Sequence, residues 1–151
     1  MNPDLLAACV AYLEATPAVT SAFGHTGQTT QFTKFWTDYA GGTDMPYLVF
    51  AEPQQSELYE TPGQNDSGSE VWDGYIDANI YAVDKAQARQ LGLLVTETLD
   101  DAPLVFSDAE LIYFRCMSRA FDPDYGIGPD DTATAYKRIL RFRFMSERDL
   151  P

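Results

Sequence analysis

Residues 75–94, YIDANIYAVDKAQARQLGLL, change hydrophobic period part-way along. Traced back to Trp72, the first half alternates. Trp72, Gly74, Ile76, Ala78, Ile80 and Ala82 fall on one face, and Asp73, Tyr75, Asp77, Asn79 and Tyr81 on the other. That is the pattern of a half-buried strand. Beyond Asp84 the apolar residues recur at helical spacing, at Ala88, Leu91, Leu94, Val95 and Leu99. Asp84 is placed to cap a helix starting at Lys85, and the DDAP segment at 100–103 stops it. A strand with one apolar face that runs straight into an amphipathic helix predicts that the helix packs back onto that face.

The flanks fit the same layer. Towards the N-terminus, Leu5, Leu6, Cys9, Val10, Tyr12 and Leu13 form a broad apolar stripe. Asn2 or Asp4 is available as its cap, Pro3 is tolerated in the first turn, and Pro17 is expected to end the helix. AVTSAFGHTGQT (18–29) reads as a turn region, with Gly24 and Gly27 as breakers. TTQFTKFWTDYA (29–40), rich in Thr and aromatics, reads as extended. MPYLVFAEP (45–53) is a compact strand between prolines, and QQSELYE (54–60) reads as a continuation into the next. The polar TPGQNDSGS (61–69) reads as a mobile hairpin loop.

Two strands close the chain. In LIYFRCMSR (111–119), Ile112, Phe114 and Cys116 are expected on one face, with Tyr113, Arg115 and Met117 on the other. In RILRFRFM (138–145), Leu140, Phe142 and Phe144 point inward and Arg141 and Arg143 outward. FDPDYGIGPDDTATA (121–135) between them is too long for a tight turn. The expectation is a single domain over 1–151. Its class is α+β, a mostly antiparallel sheet with two helices packed on one face and long strand-connecting loops.

Composition narrows the function. No apolar run approaches the ~18 residues of a membrane span, and MNPDLLAACV lacks the basic start of a signal peptide. Cys9 and Cys116 form no metal or redox motif and are expected to be buried, reduced thiols. The reading is a soluble intracellular domain. Net charge is −13, from 23 acidic and 10 basic residues, and only Lys34, Lys85 and Arg89 are basic before residue 115. Specific groove binding to nucleic acid needs a basic footprint that this balance lacks. The acidity fits either a solvated surface or one that repels a polyanion.

No catalytic pattern emerges. His25, the only histidine, sits in FGHTG without a neighbouring ligand residue. No nucleophile elbow, Walker A or dinucleotide fingerprint is present. DPDYGIGPDD (122–131) has Asp122 and Asp124 at calcium-loop spacing, but lacks the next oxygen ligand and the closing Glu. Asp73 and Asp77 lie about 13 Å apart at strand rise, too far for an acid–base dyad. Catalytic, metal and cofactor sites are all expected to be absent. What remains is the polar strand face. Asp73, Tyr75, Asp77, Tyr81, Tyr113, Arg115, Arg141 and Arg143 bring together residue types enriched at protein interfaces.

The order of elements resembles the tail-completion (tail terminator) proteins of long-tailed phages and gene transfer agents. The resemblance rests on Pro46-Tyr47 opening a strand, on Ala82-Val83-Asp84 before a helix with Ala86 and Ala88, and on Arg141-Phe142-Arg143-Phe144 at the close. It spans nearly the whole chain, with FTKFWTDYAGGT and DPDYGIGPDD longer than in a minimal member. It implies a non-enzymatic ring, commonly a hexamer, in the virion neck at the head–tail junction, assembled in the host cytoplasm. Such a ring contacts copies of itself, the tail tube protein, and the head connector or stopper protein. DNA passes through without specific binding, and no membrane is involved. The eight residues of the strand face would then form the subunit interface, and Glu57, Glu60 and Asp66 a loop facing the lumen or tube. Other readings are another connector or stopper ring of the neck, a small enzyme using the FGHTG loop, and a monomeric binding module.

Overall fold

A computed structural model describes residues 3–24, 34–37, 45–51, 54–61, 69–104, 110–121 and 136–149. In chain order the elements are α1 (Pro3–Glu14), α2 (Pro17–Ala22), β1 (Phe35–Thr37), β2 (Tyr47–Phe50), β3 (Gln54–Thr61), β4 (Ser69–Ala82), α3 (Lys85–Leu99), β5 (Glu110–Phe121) and β6 (Tyr136–Asp149). The class is α+β, as expected. Three helices are present where two were expected, and the sheet is mixed, because β1 pairs parallel to β2.

The extra helix comes from the AVTSAF stretch expected to be a turn. Pro17 opens α2 rather than only closing α1, since a missing N–H is no loss in a first helical turn. The break between the two helices lies at Ala15 and Thr16, where the Thr16 hydroxyl donates to the Tyr12 carbonyl at 2.8 Å. Gly24, at φ 71°, takes the left-handed position beyond α2 that glycine fills without strain. Asp4 lies within α1. Asn2, and the turn and loop readings over 25–33, 38–44, 62–68 and 122–135, lie outside the described residues.

The sheet runs β1-β2-β4-β6-β5, with β3 also paired to β4. β4 is its spine. It pairs antiparallel with β6 along its full length, from Ser69↔Asp149 to Ala82↔Tyr136. Its other edge takes β3 on the N-terminal half and β2 on the C-terminal half. Ile76, Ala78 and Ile80 of β4 and Leu140, Phe142 and Phe144 of β6 enter one buried cluster. Leu48 and Phe50 of β2, Leu5, Cys9 and Leu13 of α1, Leu91, Val95 and Leu99 of α3, and Val19, Phe23, Phe35 and Phe114 join it. The alternation read from the sequence is therefore the core pattern.

The strand-to-helix junction is built as expected. The Asp84 carboxylate accepts from the Gln87 N–H at 2.7 Å, and the Gln87 side chain accepts from the Val83 N–H at 3.3 Å. The two bonds anchor α3 at its first turn.

β5 departs from the expected alternation. Its register against β6 shifts between Leu111 and Tyr113 and again between Cys116 and Ser118. Each shift inserts one residue and turns the following side chains over. Ile112, expected inward, is therefore 49% exposed, and Leu111 packs against the core in its place. Met117, the second inserted residue, is 56% exposed. The turn after α3 covers part of the β5 edge. Asp100 accepts from the Cys116 N–H at 2.8 Å, and the Asp101 N–H donates to the Phe114 carbonyl at 2.8 Å. DDAP thus does more than stop a helix: it satisfies edge groups that would otherwise template another strand. Cys9 is buried, and burial pushes its thiol well above the usual range. Cys116, expected to be buried, is only partly so; both thiols are free.

Candidate functional site

The odd-numbered residues of β4 and β6 face away from the core cluster, and two arginine–aspartate pairs organise this outer face. Arg143 reaches diagonally across the β4–β6 ladder to Asp73, with Nε at 3.1 Å and Nη2 at 2.9 Å from the two carboxylate oxygens. Arg141 makes the same two-point contact with Asp77, at 2.9 and 3.0 Å. Planar guanidinium and carboxylate groups match in this geometry, which fixes both side chains against the sheet.

Tyrosines fill the spaces between. The Tyr113 hydroxyl donates to Asp73 at 3.4 Å, and the Arg143 guanidinium lies 5.8 Å from the Tyr113 ring centre. Arg141 lies 5.7 Å from the Tyr75 ring. Tyr81 stacks on Tyr47 of β2 at 4.9 Å, and the Lys137 ammonium stands 5.9 Å from the Tyr81 ring. The electrostatics follow. The hydrogen bonds from Arg143 hold the Asp73 carboxyl below its ordinary range, against the opposing effect of burial. Burial, then the Asp73 charge, pushes the Tyr113 phenol up. The bond to Asp77 raises Arg141, and that to Asp73 raises Arg143.

All eight expected interface residues root on this face, with Arg115 directly opposite Arg143 in the β5–β6 ladder. The Arg115 side chain reaches away from the two pairs to Asp101, beyond the end of α3, at 3.0 Å, with both side chains well exposed. Asp73 and Asp77 are each held by an arginine of their own chain. Glu57 and Glu60 lie within β3, opposite Trp72 and Glu70 of β4, rather than in a loop. His25, Asp66, Asp122 and Asp124 lie outside the described residues. Among the described residues, no group of three or more His, Cys, Asp or Glu is arranged to hold a metal ion, and no helix is long and apolar enough to cross a membrane.

The sequence reading missed a second cluster, on the core side of β5 and β6. Arg138 stands opposite Phe121 in the β5–β6 ladder, and its guanidinium lies 4.5 Å from the Phe121 ring centre. The Lys85 ammonium and the Arg89 guanidinium, both from α3, approach the same ring at 5.1 and 5.9 Å. Burial, then the charges of Arg119 and Arg89, lowers the Arg138 pKa. The Arg138 stem crosses Gly92, where a Cβ would meet its Cγ at 3.0 Å. Parity was the available signal: Arg138 shares the even-numbered face of Leu140 and Phe142.

The profile of the tail completion protein gp17 family matches residues 7–147. The chain belongs to this family. It is a structural protein of the virion tail, and its place is in the virion. Its fold is similar to that of a chain in the virion of a native gene transfer agent particle. The TM-score is 0.65 and the identity 19%, over 95% of this chain and 94% of that one. None of the curated protein sequences compared with the chain matches it.

Proposed function

We propose that this tail completion protein forms a homo-oligomeric ring, of six subunits, that stops tail-tube growth and joins the tube to the head connector or stopper. The observation that carries this reading is the family match over 7–147. The outer sheet face supports it. Its two aspartates are paired with arginines of the same chain, so that face offers a preset surface of Tyr75 and Tyr113 held by Arg141 and Arg143, with Tyr81 stacked on Tyr47. Preordered aromatics bind at low entropic cost. Tyr75 is exposed on this face, and Ile112 and Met117 of β5 are exposed apolar side chains as well. A ring closes when two different surfaces of one subunit fit each other by rotation. The role is structural and needs no catalytic step.

DNA would pass through the ring lumen. A negative lining repels phosphates over roughly 8 Å at physiological ionic strength, so that DNA slides without specific binding. We place Glu57, Glu60 and Asp66 on that lining or against the tube. Replacing them with Lys should slow DNA passage; unchanged infectivity would remove the lumen assignment.

Light scattering after size exclusion, with negative-stain imaging, tests the ring. Six chains of 16.8 kDa give about 101 kDa. An open-centred particle of that mass is expected, and a compact particle without a central hole would contradict the reading.

A further inference from the structure

The chain carries 23 acidic residues against 10 basic, and three of the ten, Lys85, Arg89 and Arg138, gather around the Phe121 ring, while a fourth, Arg119, stands opposite Leu140 on the same side of the β5–β6 ladder. Lys85, Arg89 and Arg119 are exposed, while Arg138 is half-buried. Among the described residues none of the four is held in an ion pair, although Arg115, Arg141 and Arg143 all are. The Arg138 Nε is buried and, among the described residues, has no hydrogen-bond partner. Asp84, next to Lys85 in sequence, accepts from the Gln87 N–H as the cap of α3.

Such an arrangement costs free energy in the lone chain. A buried Nε loses its hydrogen bond to water and gains none in return, and cations at close quarters repel. Two of the cations, Lys85 and Arg89, also sit in the first turns of α3, where the helix dipole already favours negative charge. All of these costs are relieved by one event, the arrival of a carboxylate. Phe121 orients the cations towards a common point, as cation–aromatic contacts do.

We infer that the cluster of Lys85, Arg89 and Arg138 around Phe121, with Arg119 beside it on β5, is a docking surface for carboxylates of a second copy of this chain. Charge complementarity selects the occupant. Copies with a net charge of −13 repel one another, and a concentrated basic patch lets an acidic surface of one copy meet its opposite on the next. The contact joins unlike surfaces, as a head-to-tail ring requires. Phosphates are the poorer match, because the rest of the chain repels a polyanion. The inference deepens the ring reading and rests on it.

Sedimentation velocity of the full chain at about 50 mM and about 500 mM salt tests it. Wild type is expected to self-associate, and to do so less at high salt. The R89E/R119E variant should associate at least ~10-fold more weakly, and R89K/R119K should restore association. Both positions are exposed, and unchanged thermal melting confirms that the variants fold. Wild type that stays monomeric at every concentration, or R89E/R119E that assembles like wild type, overturns the inference. So does duplex DNA binding by wild type that R89E/R119E abolishes while assembling normally, since the occupant is then phosphate. A chain that assembles through the patch yet ignores tail tubes overturns the tail-joining reading and leaves the patch standing.

Discussion

On the outer face of β6, Arg141 and Arg143 each hold an aspartate of β4 by two hydrogen bonds. On its core side, Arg138 lies among Lys85, Arg89 and Arg119 with its buried Nε unbonded among the described residues. The same residue type on one strand is therefore satisfied within the chain on one side and unsatisfied on the other. The outer face is rigid and complete and can be recognised as it stands. The core-side cluster is incomplete until something negative arrives. A structural protein whose work is assembly needs both kinds of surface.

The largest effect that could break this contrast is the loss of Asp73. Asp73→Ala strips Arg143 of its carboxylate and Tyr113 of its hydrogen-bond acceptor, and should lower the melting temperature by about 3–5 °C. A change no larger than that of an exposed pair would show the outer face to be ornamental. Acid titration sharpens the point. The folded-state pKa of Asp73 lies below its unfolded value, so its stabilisation is present above about pH 4 and is lost as pH falls through the folded pKa. The stability gap between wild type and Asp73→Asn should accordingly close in acid.

Gly92 tests the other cluster. Gly92→Ala alone brings a Cβ to 3.0 Å from the Arg138 Cγ. In an Arg138→Ala background the same change should stabilise by about 1 kcal/mol through helix propensity. A double-mutant cycle by chemical denaturation should show coupling of about that size, and additive changes would mean that the stem does not cross Gly92 closely.

Smaller still is Arg138→Met. It keeps the packing stem and removes the unpaired charge, so the melting temperature should hold or rise by up to about 2 °C. A clear fall would show that Arg138 is satisfied after all. Arg115→Ala, at an exposed pair with Asp101, should leave melting unchanged within error.

The sequence exposed what depends on period and little that depends on register. Alternation in β4 and β6, the switch at Asp84 and the α3 stripe are local patterns, and the structure keeps them. The α2 helix was hidden because Pro17 signals an end and a beginning equally well. The bulges at Ile112 and Met117 were hidden because an inserted residue leaves no mark in composition. The parallel β1–β2 pair was hidden because strand direction is a long-range property. For the site, outward-facing tyrosines and arginines could be read from parity. That Arg115 turns to Asp101 could not, nor that Phe121 gathers cations from α3 and β6. Those contacts exist only once the helix lies across the strands.

The central claim is that this chain completes a tail, and purified tail tubes test it most directly. Growing tubes would be incubated with the chain and imaged by negative stain. The account predicts a ring-shaped cap at one end of each tube and arrested growth. Tubes that keep lengthening with bare ends in the presence of excess folded chain would contradict it.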